Sequence, residues 1–286
     1  MKTFVILASL AALTAQAQDF SRNAFPDGRE HPEYVLGGAQ EHWTGGQVNW
    51  FYNPANQPGN LTTAAVVSAI QTAAARWSGM CNLTFNYMGI TSAVPNVRST
   101  ASTLDRTNVF GWGLLTDEMA GYGAYTVWWY DATHAMIDAD TVINTALSWS
   151  LTNVEAIMTH ELGHVIGLNH SDQSASVMFA NPYHTAAYQR VLRGDDASGC
   201  AALYGASVNA DSNRAMNWAE QTFPQMFAPS PAQSGSFNGY NYRYYPSTTT
   251  YLGTQNGHAY TMGASGVIVD QGVVANYSSQ VHAAGF

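Results

Sequence analysis

His160-Glu161-Leu162-Gly163-His164-Val165-Ile166-Gly167-Leu168-Asn169-His170 is the stretch on which the reading of this chain turns. It closes a run from Asn153 to Gly167 in which Val154, Ile157, Met158, Leu162, Val165 and Ile166 recur at helical spacing. Asn153 is the expected N-cap, and Glu155 suits the positive end of the helix. His160 and His164, four apart, project from one face of such a helix and can share a metal ion. Glu161 lies beside them, placed to reach a metal-bound water. Gly167 can adopt positive φ, which ends the helix and turns the chain so that His170 supplies a third nitrogen. Three ligands leave zinc an open fourth position, the arrangement of a catalytic rather than a structural site. With 9 His in 286 residues, chance would place the full set in roughly two in a hundred thousand such chains. The expectation is therefore one zinc ion on His160, His164 and His170, with Glu161 as the catalytic base.

Upstream of this helix the pattern alternates between strands and one further helix. Val48 to Tyr52 reads as a strand. Thr62 or Thr63 caps a helix that carries Val66, Ile70, Ala73, Ala74 and Trp77 on one face. Leu83 to Tyr87, Asn108 to Trp112, Tyr122 to Tyr130 and Met136 to Ile143 read as strands, with a turn at Asp131-Ala132-Thr133-His134. Downstream, Asp195-Asp196 starts a helix that ends at Gly205. Composition shifts after about Ala206. Asn213 to Gln221 reads as a helix, residues 224–239 are rich in Pro, Ser, Gln and Gly, and Asn256-Gly257 between two short apolar runs signals a hairpin.

The chain carries 10 Lys and Arg against 19 Asp and Glu, a net charge of −9. Its only Lys is Lys2. Nucleic-acid binders present clustered Lys and Arg, so no nucleic-acid partner is expected. The 16 Tyr, 11 Phe and 8 Trp exclude a disordered chain. Lys2, the apolar stretch Phe4 to Ala15 and Ala15-Gln16-Ala17 form a signal peptide over residues 1–17. That stretch is shorter than the ~20 residues needed to span a bilayer, and no later run approaches that length. The reading is an exported, secreted protein with no membrane span. In an oxidising compartment Cys81 and Cys200 are an even pair with one intramolecular connectivity, although two buried thiols remain open at this level.

The motif around Glu161 resembles that of the metzincin metallopeptidases, whose third histidine is followed by a Met-turn. Ser176-Val177-Met178-Phe179 matches that turn through Met178. Within the metzincins the chain is similar to matrixins: Ser171, the spacing to Met178, Asp195-Asp196, Gly199-Cys200 and Leu203-Tyr204-Gly205 follow their pattern, as do Ala75-Arg76-Trp77-Ser78 and Leu83-Thr84-Phe85. The tyrosine that other metzincins place two residues beyond the Met is replaced by Ala180. The resemblance implies an α+β fold, with a mixed five-stranded sheet, an active-site helix and a C-terminal helix over residues 34–206. It also implies a Cys81–Cys200 disulfide between the first and last helices, and a role for Asp195 and Asp196 in tying down the Met-turn or a new N-terminus. Residues 207–286 form a small β-rich domain. Trp218-Ala219-Glu220, Tyr244-Tyr245-Pro246 and Tyr251-Leu252-Gly253 resemble a module appended to other exported bacterial proteins, which is expected to contact a surface or another protein.

By this resemblance the protein is a zinc endopeptidase acting on protein or peptide substrates, with Glu161 taking a proton from the zinc-bound water. The alternative is an adhesion protein with a vestigial zinc site. Asp117, Glu118, Asp131, Asp138 and Asp140 could serve calcium, but none forms a recognisable calcium loop. Matrixins usually block their zinc with a propeptide cysteine, whereas residues 18–33, a short prosegment, contain none. A carboxylate can fill zinc's open position instead, and Asp27 in Phe25-Pro26-Asp27-Gly28 is the better candidate, with Asp19 as the alternative and an ordinary surface turn as the plain reading.

Overall fold

The computed structural model describes residues 34–96, 104–180, 190–227 and 233–286. The expected signal peptide over residues 1–17, the expected prosegment over 18–33 and Asp27 lie outside the described residues. The first sheet contains β1 (Gln47–Asn53), β2 (Thr84–Ile90), β3 (Asn108–Gly113), β4 (Ala124–Tyr130) and β5 (Met136–Asn144), in the order β2-β1-β3-β5-β4. Its first four members run parallel and β4 antiparallel, at the edge. The reversal is local. Asp131 Oδ1 accepts from the Thr133 and Ala135 amides at 2.8 and 3.2 Å, closing the turn that returns the chain as β5.

Two helices pack on each other and against this sheet: α1 (Thr63–Met80) and α2 (Leu151–Val165). Thr62 is the cap of α1, its side chain accepting from Ala65 N. For α2 the expected cap is corrected. Ser150, not Asn153, occupies that position, and Ser150 Oγ accepts from the Asn153 amide at 3.2 Å. The Trp149 indole, bonded to Asn144 O at 2.7 Å, delivers the chain one turn early, where Ser150 caps as well as Asn would. Trp50, Tyr52, Ile70, Trp77, Phe110, Ile143, Met158 and Leu162 fill the core between the layers. On β5, Asp138 and Asp140 are buried and accept backbone N–H groups of Asp105, Arg106, Asn96 and Val109.

Beyond α2, α3 (Gly194–Tyr204) and α4 (Ala210–Thr222) lead to a second, antiparallel sheet of β6 (Gln233–Phe237), β7 (Tyr240–Tyr245), β8 (Thr250–Gln255), β9 (His258–Met262) and β10 (Ile268–Val273), followed by α5 (Ser278–Ala283). Its strands are neighbours in chain order. The β8–β9 hairpin turns through Asn256 at φ 50° and Gly257 at φ 75°, the left-handed pair that Asn-Gly supplies at little cost. The architecture is α+β, with a mixed five-stranded sheet and a separate antiparallel one.

The two sheets are joined through α4, which packs on α1 and on β8. At this junction Arg76 of α1 donates to Glu155 of α2 at 2.7 Å and to Glu220 of α4 at 3.0 Å. Arg190 reaches the same two carboxylates at 3.3 and 2.9 Å, and Arg243 of β7 bonds Glu220 at 3.0 Å. All five side chains are buried.

Cys81, at the end of α1, is bonded to Cys200 of α3, with Cα atoms 5.7 Å apart and a sequence separation of 119. Closing so long a loop restricts the unfolded chain strongly. Cys81→Ser with Cys200→Ser is expected to cost about 2–5 kcal/mol in urea unfolding; an unchanged unfolding midpoint would remove the bond from the account of stability.

Candidate metal centre

The last two turns of α2 carry His160 and His164 inward, and Gly167 turns the chain at φ 101° to bring His170 alongside. His164 Nε2 lies 3.1 Å from His160 Nε2 and 3.2 Å from His170 Nε2. Ligands on a tetrahedral zinc at ~2.0–2.1 Å stand ~3.3 Å apart, so the three nitrogens already have the spacing of three corners. Tautomer argues the same way. His160 Nδ1 is 2.7 Å from Val177 O, and His164 Nδ1 is 2.8 Å from Leu168 O. A carbonyl only accepts, so both Nδ1 atoms carry the proton and both Nε2 atoms present lone pairs to one another. A cation between them turns that repulsion into ligation. Among the described residues, this is the group that brings three metal-binding side chains within 4.8 Å.

Neighbouring segments hold each ligand. Asp196 of α3, in its first turn, accepts from the amides of Val177 and Met178 at 3.0 Å each and from Ser176 Oγ. It thereby fixes the Met-turn whose Val177 carbonyl orients His160, and burial pushes its carboxyl above the ordinary range despite those bonds and that from the Arg193 amide. Met178 lies beneath α2 against Gly163, where a Cβ would stand 2.2 Å from its sulfur. Gly167 is constrained equally tightly, since a Cβ there would lie 2.1 Å from Glu41 O. The strip Gly167–Asn169 is laced to residues 35–37 by Gly37 N to Gly167 O and Asn169 N to Val35 O, both 2.9 Å. Trp43 and Tyr204 donate to the Val165 and Ile166 carbonyls at 2.7 and 2.8 Å, satisfying the end of α2.

The Matrixin family profile matches residues 42–205, more than half of the chain. The chain belongs to the matrixin family. It is similar to Karilysin of Tannerella forsythia, at 28% identity over 213 residues, covering 72% of this chain and 42% of that protein. It is also similar to Stromelysin-3 of Xenopus laevis, at 30% over 179 residues (60% and 34%), and to Metalloendoproteinase 2-MMP of Arabidopsis thaliana, at 29% over 191 residues (62% and 46%). The chain spans less than half the length of each of these relatives. Zinc is the cofactor that the matrixin family uses, and the three-imidazole set fits it.

In this matrixin Glu161 is 4% exposed, and burial, partly opposed by a hydrogen bond from Thr126, pushes its carboxyl up to about 7. Thr126 Oγ1 stands 2.6 Å from Glu161 Oε2. Trp128, two residues along β4, lays its ring over His164 with centroids 6.2 Å apart and planes 16° from parallel. The strand expected over Tyr122 to Tyr130 contains Trp128 and Trp129, both buried. The sequence does not show that Trp128 lies against His164, nor does it single out Thr126. The available signal was strand periodicity, which puts 126 and 128 on one face, but nothing local shows which element that face meets.

Proposed function

We propose that this protein is a secreted zinc-dependent endopeptidase that hydrolyses peptide bonds of extracellular proteins, with Glu161 as catalytic base. The observation that carries this reading is the convergence of the His160, His164 and His170 Nε2 atoms beside the buried carboxylate of Glu161. A bound zinc ion would supply Lewis acidity to water and to the scissile carbonyl. His160, His164 and His170 hold that position, and Glu161 accepts the proton of the attacking water and returns it to the departing amine. β4 is a sheet edge, and its outer backbone groups can pair with an extended peptide, which fixes the substrate's direction across α2.

The test is a casein digest by the full chain. Activity abolished by a chelator and restored by zinc supports the reading, whereas chelator-insensitive cleavage, or none from zinc-loaded protein freed of residues 18–33, overturns it. The adhesion alternative is disfavoured by the intact Glu161, a residue that a vestigial centre has no chemical reason to keep. Residues 34–206 would then form the peptidase domain and residues 207–286 the appended one. The open face of the second sheet, lined by half-buried Tyr240, Tyr242, Tyr244, Tyr251 and Tyr260, supports a contact surface on the latter. The signal-like residues 1–17 support secretion, and among the described residues no helix is long and apolar enough to cross a membrane.

Latency through Asp27 belongs to the same proposal, supported by the stiff approach of Pro26 and by the affinity of carboxylates for zinc. Chain 18–286 is expected to show a lag on a peptide substrate that chain 34–286 lacks, and Asp27→Ala to abolish the lag. Equal initial rates, with no trimming of the longer chain, would discard it.

A further inference from the structure

We propose that Thr126, backed by Thr141, is a positioning residue for Glu161, pinning one oxygen of the carboxylate and leaving the other as the proton acceptor. The inference rests on the reading of Glu161 as the base. Thr126 of β4 and Thr141 of β5 stand opposite one another in register. Both are buried, at 3% and 0% exposure. Their hydroxyl oxygens lie 2.8 Å apart, and Thr126 Oγ1 is 2.6 Å from Glu161 Oε2.

Proton accounting gives the chain a direction. An ionised carboxylate only accepts, so the single hydroxyl proton of Thr126 goes to Glu161 Oε2. Thr126 Oγ1 is then an acceptor towards Thr141, whose own proton completes the relay. Two threonines joined in this way can donate at the far end in one sense only, and the carboxylate is where that donation ends. The bond fixes the rotation of the Glu161 carboxyl about its last torsion, which is otherwise broad. Oε2 is committed to Thr126, so the proton taken during hydrolysis goes to Oε1.

Plain packing does not account for the pair. Neighbouring buried positions on the same strands are Val127, Val142 and Ile143, the residues that suit such a site. A hydroxyl buried there costs free energy unless it is bonded, and valine has almost the same shape. The hydroxyls are retained where they meet the one carboxylate beside the histidines. The location adds a coupling: Thr126 belongs to the edge strand on which a peptide would lie, so one strand aligns both the substrate backbone and the base.

The experiment compares the full chain with Thr126→Val, Thr126→Ser, Thr141→Val and Glu161→Ala, each measured for zinc content, zinc affinity by chelator competition, and kcat and KM on one peptide. For Thr126→Val, zinc affinity is expected to match the parent and KM to stay within about twofold, while kcat falls about 10–100-fold, the usual scale for losing a supporting hydrogen bond. Thr126→Ser is expected to recover most of that loss, and Thr141→Val to lose a smaller part of kcat. A crystal structure of the metal-free Thr126→Val protein is expected to show the Glu161 carboxyl displaced from its present position. Parent-like kcat in Thr126→Val, or an unmoved Glu161 carboxyl, overturns the proposal. Should Thr126→Val fail to fold, parent-like kcat in Thr141→Val overturns it instead. Undiminished hydrolysis by Glu161→Ala strikes the reading of the base itself, whereas an inactive Glu161→Ala beside an unimpaired Thr126→Val strikes this inference alone.

Discussion

Zinc-loaded Glu161→Ala is expected to hydrolyse peptides about 10²–10⁴-fold more slowly than the parent, the range for loss of a positioned general base. Metal content should be unchanged. The three nitrogens that could hold zinc belong to His160, His164 and His170, and their orientation comes from Val177 O, Leu168 O and the Gly167 turn, none of which involves Glu161. Removing a 4% exposed carboxyl also relieves a desolvation cost, since burial drives this group up to about 7 even against the Thr126 hydrogen bond. Thermal stability should therefore not fall. Zinc content by elemental analysis, a melt and kcat/KM on one peptide separate these effects. Activity within about tenfold of the parent in zinc-loaded protein would sink the mechanism.

Glu220→Ala is expected to destabilise the whole chain by about 3–5 kcal/mol, the cost of breaking a buried ion pair by removing one partner. The Glu220 carboxylate takes bonds from Arg76 at 3.0 and 3.2 Å, Arg190 at 2.9 Å, Arg243 at 3.0 Å and the Tyr245 hydroxyl at 2.9 Å. Without it, three buried guanidinium groups would share Glu155 as the one remaining carboxylate of the cluster. Because Arg76 and Glu155 sit on α1 and α2, the loss would also reach the helix that carries His160 and His164. Urea unfolding measures the change, and a midpoint shift worth less than about 1 kcal/mol would show the network to be dispensable. The same group predicts a pH dependence. Burial by itself would raise Glu220, but Arg76, Arg190 and Arg243 hold it far below the usual carboxylate range. A depressed folded value means that the contribution is full above the unfolded value of ~4.3 and is lost as pH falls below it, towards the folded value. Glu220→Gln should accordingly flatten the acid limb of stability against pH below about 4. A limb as steep as the parent's would assign acid unfolding to other carboxylates.

Much of the site was legible in the sequence because its rules are local. A four-residue spacing puts His160 and His164 on one face whatever surrounds the helix, and a glycine at 167 can take the positive φ that returns His170. Asn256-Gly257 specifies its hairpin for the same reason. The cap of α2 was misplaced by three residues because Ser150 and Asn153 cap equally well, and the choice between them fell to the buried Trp149. What only the tertiary structure decided are contacts between segments distant along the chain: Thr126 against Glu161, 35 residues away, and Arg76 against Glu220, 144 residues away. Read locally, Arg76 is a charge within an apolar helix face and Glu220 a polar residue on another helix. Each is buried among partners from other elements, and their own pairing exists only once α1 and α4 lie side by side.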